Sequence, residues 1–317
     1  MIKQFASNNP LVLTLIPVLV LVHLVLGFYF PNFSNLMEGS DNLWNIDFYA
    51  IPMLYSKIIA FFLICGNAFL LNYIFNSIEF YDRLTFIPSI LYISLLFLFP
   101  ISLQLSEDLI SHLFFIIYLY HIFKIKQNDD ARNSSFLAGF FLGISASFLP
   151  VFSIFLILIH IALIIIRPFS LREHLLPSIG FIIPFLWIPL VNMDFLQNLI
   201  LFRSQLHYSN VNIGILIVTI VVVGILIIIA HKKILERRFK SSIHFRKMNS
   251  ITLIAFFLTI FTCIFILGVS DSYFYITISV TVLPFILSYA FLDLRIKWVS
   301  YILFYCLLAI NVIKFFV

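Results

Sequence analysis

Residues 134–189 decide how this chain folds, and they read SSFLAGFFLGISASFLPVFSIFLILIHIALIIIRPFSLREHLLPSIGFIIPFLWIP. Two apolar runs meet at Pro150, and a short basic turn, residues 167–173, separates them from a third apolar run. Small residues in the first run let its backbone approach a neighbouring helix closely, as in the small-xxx-small packing of membrane helices. They are Ala138, Gly139, Gly143, Ser145 and Ala146. We therefore expect a tight hairpin of two apolar helices within a membrane protein.

The composition of the whole chain indicates the same class of protein. Hydrophobic residues make up 62% of it and charged residues 10%, and the mean hydropathy is +1.12. A soluble domain has about 25% charged residues, so this chain could not cover its own surface in water. In a bilayer the backbone must satisfy itself within helices or a closed barrel, and long continuous apolar runs favour helices. The sequence predicts an all-α, polytopic membrane helical bundle.

Apolar runs occur along the entire chain, without an intervening soluble domain or low-complexity linker. We therefore predict a single transmembrane domain, 1–317, with about 11 transmembrane helices. No A-x-A cleavage site follows the first span, so we expect that helix to be retained. The predicted spans are about 11–30, 50–75, 85–103, 109–125, 135–149, 151–166, 174–192, 212–230, 251–269, 274–291 and 298–317.

Basic residues between the predicted spans predict the orientation of the chain, because lysine and arginine accumulate in cytoplasmic loops. With a cytoplasmic N-terminus, all but Lys57, Arg203 and Lys314 of the 19 basic residues fall on the inner side. The C-terminus then lies on the outer side. Acidic residues show the opposite bias, and those on the outer side are Glu38, Asp41, Asp47, Glu107, Asp108, Asp194 and Asp271.

The first outer loop, residues 31–48, is the longest acid-bearing loop and reads PNFSNLMEGSDNLWNIDF. A carboxylate close to apolar and aromatic groups at a membrane surface can serve as a general base. Glu38, Asp41 and Asp47 are therefore the candidate catalytic residues. Trp44 is a candidate for sugar contact through its ring. The alternative is a solvated loop with ordinary surface acids.

The second outer loop, residues 194–210, has apolar residues at helical spacing and is typical of a helix lying in the membrane interface. Arg203 and His207 are four residues apart, so they would share one face. A guanidinium there could hold a lipid phosphate through two parallel hydrogen bonds. Lys57, near the outer end of the second span, is a further candidate because a lysine at membrane depth is costly. Both cations could instead simply snorkel to headgroups.

Other motifs are few. The three cysteines lie far apart inside apolar runs, so they predict neither a metal site nor a disulfide framework. H-E-x-x-H, G-x-S-x-G, Walker motifs and paired intramembrane carboxylates are not apparent in the sequence. We therefore predict no metal and no cofactor. The basic inner loop, residues 231–249, predicts attraction to anionic membrane lipids and a protein docking surface as an alternative, but not nucleic-acid binding.

Three segments carry a family resemblance: FFIIYLYHIFKIK (residues 114–126), SFLAGFFLGISASFLP (135–150) and RPFSLRE (167–173), followed by Leu176-Pro177 and Gly180. They resemble an uncharacterised family of multi-pass inner-membrane proteins of the Bacteroidota. The resemblance implies the bacterial inner (cytoplasmic) membrane, with the outer loops in the periplasm. It implies a location more than an activity.

A second similarity rests on the many spans, the acid-bearing first outer loop and the small-residue hairpin from Ala138 to Pro150. These features resemble the C superfamily of membrane glycosyltransferases. The resemblance implies sugar transfer from a polyprenyl-phosphate carrier at the periplasmic face, with Glu38, Asp41 or Asp47 as the loop acid. The cations and the tryptophan named above would then bind the substrate. They are Lys57, Arg203, His207 and Trp44.

A non-enzymatic role stays open beside this one. The chain could be a scaffold or assembly subunit of an inner-membrane secretion or envelope-biogenesis complex, with the basic inner loop as its docking surface. A transporter is a third reading. It would require broken helices related by an internal repeat, and the sequence shows no clear repeat.

Overall fold

The computed structural model describes residues 2–6, 10–30, 42–44, 46–125, 130–192, 213–238, 241–267, 273–292 and 297–316. Regular structure in these residues is helical, and they contain no strand. The helices are α1 (Ile2–Phe5), α2 (Leu15–Tyr29), α3 (Met53–Ser77), α4 (Ile87–Leu96), α5 (Glu107–Lys124), α6 (Arg132–Phe148), α7 (Leu156–Ile166), α8 (Leu171–Val191), α9 (Ile213–Arg238), α10 (Ile243–Leu267), α11 (Ser279–Leu287), α12 (Tyr289–Leu292) and α13 (Lys297–Ile313). Short 3-10 helices occupy Pro10–Thr14, Phe48–Ala50, Pro100–Leu103, Pro150–Phe155 and Tyr273–Ile278.

Five helices among the described residues are long and apolar enough to cross a membrane, by length and composition. They are Leu11–Tyr29, Met53–Ser77, Leu171–Leu190, Ile217–Arg238 and Ile243–Ile264. Shorter apolar helices are Ile87–Leu96, Pro150–Ile166, Ile276–Leu292 and Trp298–Ile313. Each predicted span therefore coincides with a helical segment, although α10 begins well before the predicted start at residue 251. The all-helical class is confirmed, whereas eleven crossings and their orientation remain predictions.

Four of the long apolar helices, α2, α8, α9 and α10, are largely exposed, whereas the short helices α4 and α11 are buried. All ten residues of α4 are buried. In contrast, only 28% of the apolar window of α9 is buried, and large side chains such as Ile220 and Ile228 are exposed. A peripheral helix with exposed apolar side chains suits lipid as its solvent. The described arrangement is therefore that of a membrane bundle with a protein-covered centre.

Pro150 separates α6 from α7, as expected. The residue before a proline is forced out of the helical region, and Leu149 is accordingly extended, with φ −134° and ψ 95°. Proline also lacks the amide N–H that a continuing helix would need. The chain resumes as the 3-10 helix Pro150–Phe155 and then α7. The two apolar runs are thus separate helices, but α6 packs mainly against α5 and α8 rather than against α7.

The small residues of α6 allow the close helix contact that the sequence predicts, and the partner is α8. A Cβ atom added at Gly139 would collide with the backbone carbonyl oxygen of Pro177, and one at Gly143 would collide with that of Phe181. On α8, Gly180 faces the Phe136 carbonyl oxygen in the same way. Glycine is required at these positions because backbone meets backbone, which fixes α6 and α8 relative to each other.

Contacts between helix ends and loops define two ends of the bundle. We call one the acidic end. It contains Glu107 and Asp108 at the start of α5, the loop before α3, and the C-terminal ends of α6 and α8. Hydrogen bonds join the loop to α5, α6 and α8. We call the other the basic end. There Arg237 of α9 pairs with Asp82, and Lys247 of α10 donates to the carbonyl oxygen of Ile166 at the end of α7.

Candidate functional site at the acidic end

The first loop is held on the start of α5 by a buried amide. Asn42 is 2% exposed and Glu107 is 1% exposed. The Asn42 amide donates to Glu107 Oε1 at 3.1 Å and to the Ile46 carbonyl oxygen at 2.6 Å, while its Oδ1 accepts from the Ile46 amide at 3.0 Å. One side chain thus closes the turn of the loop and ties that turn to a buried carboxyl group.

Two more hydrogen bonds anchor the same loop to the ends of α6 and α8. The Trp44 indole donates to Ser147 Oγ at 2.8 Å, and its ring lies 6.1 Å from that of Phe148. The Asn192 amide donates to the Leu43 carbonyl oxygen at 3.0 Å. Because the α6–α8 contact is rigid, these anchors give residues 42–44 a defined position over the helix ends.

A second carboxyl group lies deeper on α5. Asp108 is fully buried, and its Oδ1 accepts a hydrogen bond from Thr277 Oγ1 at 2.8 Å. Its Oδ2 is buried and has no hydrogen-bond partner in the part of the chain that the structure describes. An ionised carboxylate away from water is costly unless charges or hydrogen bonds compensate for it. The helix N-terminus supplies part of that compensation, because Asp108 lies in the first turn of α5.

A chain of polar side chains continues from Asp108 into the bundle. His112 lies one turn later on α5, and its Nδ1 is 3.4 Å from the Tyr92 hydroxyl. The Asn67 amide donates to that hydroxyl at 3.2 Å and to the Leu109 carbonyl oxygen at 3.1 Å. All four side chains are buried. They form a polar cluster that α3, α4 and α5 build together below the anchored loop.

The predicted site residues fall in different places. Asp47 is exposed, and its Oδ1 accepts a hydrogen bond from the Ala50 amide at 3.2 Å, which caps the 3-10 helix Phe48–Ala50. The Lys57 ammonium lies 5.0 Å from the centre of the Phe28 ring and has no hydrogen-bond partner among the described residues. Trp44 is half-buried and anchored as described above. Glu38, Asp41, Arg203 and His207 lie outside the described residues.

Lys57 therefore has an aromatic partner among the described residues. An ammonium over a ring face is a cation–π contact, which contributes about 0.5–1 kcal/mol at exposed sites and more when desolvated. Phe28 is on α2, so the contact joins the first two long helices.

Sequence reasoning missed the importance of Glu107, Asp108 and His112. It placed both acids in a loop, whereas α5 begins at Glu107 and buries both. The sequence contained one usable signal: Asp108 and His112 are four residues apart and share a helix face. Within the described part of the chain, no group of three His, Cys, Asp or Glu side chains could hold a metal ion.

The basic loop, predicted to attract anionic membrane lipids or, as the alternative, to dock a protein, uses several of its cations inside the chain. Arg237 pairs with Asp82 at 2.6 Å, the Arg238 guanidinium donates to Ser250 Oγ at 3.3 Å, and Lys247 donates to the Ile166 carbonyl oxygen at 2.9 Å. These contacts join helix ends. Lys232 and Arg246 are exposed, and a docking role for them stays a prediction.

Comparisons of the chain with protein-family models, with curated proteins and with solved structures found no match.

Proposed function

We propose that the acidic end transfers a sugar from a polyprenyl-phosphate carrier to an acceptor at the periplasmic face of the inner membrane. The observation that carries the proposal is the anchoring of the first loop: Asn42 links it to the buried carboxyl group of Glu107 at 3.1 Å. A loop that carried only ordinary surface acids would need no such buried attachment. The polyprenyl tail of the donor keeps it in the bilayer, so the enzyme must work at the membrane surface.

The reaction needs one general base and one group that stabilises the departing phosphate. A loop carboxylate, Glu38 or Asp41 first, takes the proton of the acceptor hydroxyl. The acceptor oxygen then forms a bond to the anomeric carbon as the bond from that carbon to the phosphate oxygen breaks. The lipid phosphate leaves with the electron pair, and the configuration of the sugar inverts.

The phosphate is held by cations in this proposal. Arg203 offers two parallel hydrogen bonds to phosphate oxygens, and Lys57 and His207 assist it. The Trp44 indole nitrogen is already engaged with Ser147, so its ring face is the part that can contact the sugar. Glu107 joins the candidate bases because it is the carboxyl group to which the loop is attached.

The test is a transfer assay on the full chain reconstituted in lipid, with a labelled polyprenyl-phosphate sugar as the donor. Glu38→Gln, Asp41→Asn, Asp47→Asn and Glu107→Gln are compared one at a time. Loss of the general base should reduce the rate about 100-fold or more. Glu79→Gln is the matched control, because Glu79 is an exposed acid at the basic end. Wild-type rates in all four variants would refute the proposal.

A further inference from the structure

A cleft on the side of the bundle, at the basic end, lies outside the proposed transfer site. It has a volume of about 420 Å³ and runs along the last turns of α3. Its walls include Leu13 of the 3-10 helix Pro10–Thr14 and Leu84 of the loop between α3 and α4. We propose that this cleft binds a single-chain glycerophospholipid that has a free glycerol hydroxyl and a zwitterionic headgroup. The site is independent of sugar transfer.

The cleft is open to the surroundings of the bundle. Phe69, Tyr73 and Leu84 line it, and all three side chains are exposed. Its volume lies within the range of about 300–1,000 Å³ that is common for small-molecule sites. A lateral opening in a bundle with exposed apolar helices faces lipid, so a lipid is the molecule that can enter it.

The lining of the cleft changes from apolar to polar towards the end of α3. Phe69, Asn72, Tyr73, Asn76 and Ser77 line it at spacings of three and four residues, so they share one helix face. Phe69 lies about 12 Å from the end of α3 along the helix axis, within half of a hydrocarbon layer about 30 Å thick. The four polar side chains follow in the last two turns. A phospholipid has the same order, with its acyl chain in the hydrocarbon and its glycerol at the boundary.

Asn72 supplies a hydrogen-bonding atom that the described chain does not use. Its side chain is 5% exposed, and its Oδ1 has no hydrogen-bond partner among the described residues. Asn76, one turn later, is engaged: its amide donates to the Thr85 carbonyl oxygen at 2.9 Å, and its Oδ1 accepts from the Thr85 amide at 3.1 Å. Buried polar atoms are nearly always hydrogen-bonded. The Asn72 oxygen therefore requires a donor from the occupant of the cleft.

The need for a donor selects among phospholipids. The esters of a diacyl glycerophospholipid only accept hydrogen bonds, whereas a single-chain lipid keeps a glycerol hydroxyl that can donate. That hydroxyl lies next to the ester, at the polar boundary where Asn72 is placed. One acyl chain then lies against Leu13, Phe69 and Leu84, which are the apolar side chains of the cleft.

Charged residues next to the cleft have both signs. Glu79 is two residues after Ser77, Arg83 precedes Leu84, and both charged side chains are exposed. Among the described residues, no ion pair engages either of them. A guanidinium can bind a phosphate, and a carboxylate can bind an ammonium group. A headgroup with both groups complements both residues, whereas an anionic headgroup complements only Arg83.

The experiment is native mass spectrometry of the purified full chain, titrated in detergent micelles with lysophosphatidylethanolamine. We expect one bound lipid, and binding about fivefold weaker for the 2-deoxy analogue, which lacks only the glycerol hydroxyl. Asn72→Leu, a change of similar volume, should bind both lipids equally. A preference for the hydroxyl that survives in Asn72→Leu would overturn the contact. Tighter binding of diacyl phosphatidylethanolamine would overturn the single-chain occupant.

The wall of the cleft has its own readout. Leu84→Trp places an indole at the exposed rim and should abolish binding. Leu54→Trp is the matched control, because Leu54 is exposed in the first turn of α3 and does not line the cleft. Equal binding in both tryptophan variants would show that lipid adheres to the whole surface and would overturn the site.

The headgroup is tested with lysophosphatidylglycerol, which lacks the ammonium group. It should bind more weakly than lysophosphatidylethanolamine to the wild-type chain and equally well to Glu79→Gln. Equal binding by the wild-type chain would overturn the zwitterionic headgroup. Gel filtration and circular dichroism establish that each variant is folded. Asn72→Leu should be no less stable than wild type in lipid-free detergent, since it removes a buried oxygen that has no described partner.

Discussion

The acidic and basic ends of this bundle differ in the partners of their charged side chains. At the basic end, four ion pairs join described residues: Arg132–Asp130, Arg167–Glu173, Lys233–Glu236 and Arg237–Asp82. At the acidic end, Asp108 is bound by a hydroxyl group, Lys57 lies over a phenylalanine ring, and Lys314 donates to the carbonyl oxygen of Phe97. The partners described here for these acidic-end charges are neutral.

The difference separates carboxylates that an ion pair neutralises from the Asp108 carboxyl group, whose described side-chain partner is a hydroxyl group. An ion-paired carboxylate at a helix end is already neutralised, and its main effect is to join two segments. A buried carboxyl group with only a hydroxyl partner is costly to maintain, so its presence calls for a function. The comparison therefore directs the search for chemistry to the acidic end, although the basic end has more charged residues.

The largest expected effect on stability comes from disrupting the close contact between α6 and α8. Gly139→Ala places a methyl group against the backbone carbonyl oxygen of Pro177 on α8. Backbone cannot move aside as a flexible side chain can, so we expect a loss of about 3 kcal/mol, at the upper end of overpacking costs. Unfolding in mixed detergent micelles measures it.

Gly66→Ala and Gly224→Ala are the matched controls, because a Cβ atom at either position meets nothing within 4 Å. Alanine is the better helix former by about 1 kcal/mol, so these variants should be neutral or slightly stabilised. An equal loss in all three variants would show that the α6–α8 contact is not special.

The next effect tests the acidic end. Thr277→Val removes the hydroxyl that donates to Asp108 Oδ1 and leaves that oxygen buried. A lost hydrogen bond to a charged group costs about 1.5–3 kcal/mol, and we expect about 2 kcal/mol in the same unfolding assay. Thr281→Val is the control, since the Thr281 hydroxyl donates to the Ile278 carbonyl oxygen within its own segment. Equal losses would mean that the Asp108 contact has no special weight.

A smaller effect is expected at the basic end. The Arg237 guanidinium pairs with Asp82, and it lies 4.1 Å from the Tyr81 ring centre and 5.3 Å from that of Phe245. Arg237→Lys should cost about 1 kcal/mol, chiefly from lost ring contact. Asp82 is 84% exposed, so Asp82→Asn should cost no more than about 0.5 kcal/mol. A larger loss in Asp82→Asn would assign the stabilisation to the ion pair.

The smallest effect on stability is expected at the exposed ion pair between Arg132 and Asp130. Arg132 and Asp130 are 58% and 67% exposed in their ion pair, and exposed pairs contribute little because water screens them. Arg132→Gln should change the free energy of unfolding by less than about 0.3 kcal/mol, and added salt should abolish the difference. A loss above about 1 kcal/mol would show that this pair stabilises the fold more than its exposure predicts.

Much of the fold could be predicted from the sequence because the determinants are local. Apolar runs predict the helical segments. Pro150 ends α6 because it restricts the backbone of the residue before it, and the glycines of α6 predict a close helix contact. The partner of that contact could not be predicted, since any helix can accept a small-residue face. The contact of Gly139 with Pro177 joins α6 and α8, which α7 separates in the sequence.

The candidate site was harder to predict for the same reason. Asp108 and Thr277 are 169 residues apart in sequence, and Asn42 and Glu107 are 65 apart. Nothing local distinguishes an acid in an outer loop from one that the first turn of a helix carries into the interior. The Trp44 anchor to Ser147 likewise joins segments 103 residues apart. Charge bias along the sequence separated the two ends, but it could not show which charges find partners.

The shortness of α4 has a consequence for the backbone that follows it. Its ten residues extend about 15 Å, roughly half of a hydrocarbon layer about 30 Å thick. The non-helical backbone that follows must therefore be shielded by protein, and Ser56 provides for this by accepting from the Leu105 amide at 2.9 Å. A short central helix therefore leaves main-chain polar groups in the protein-covered part of the bundle, where side chains such as that of Ser56 take the place of water.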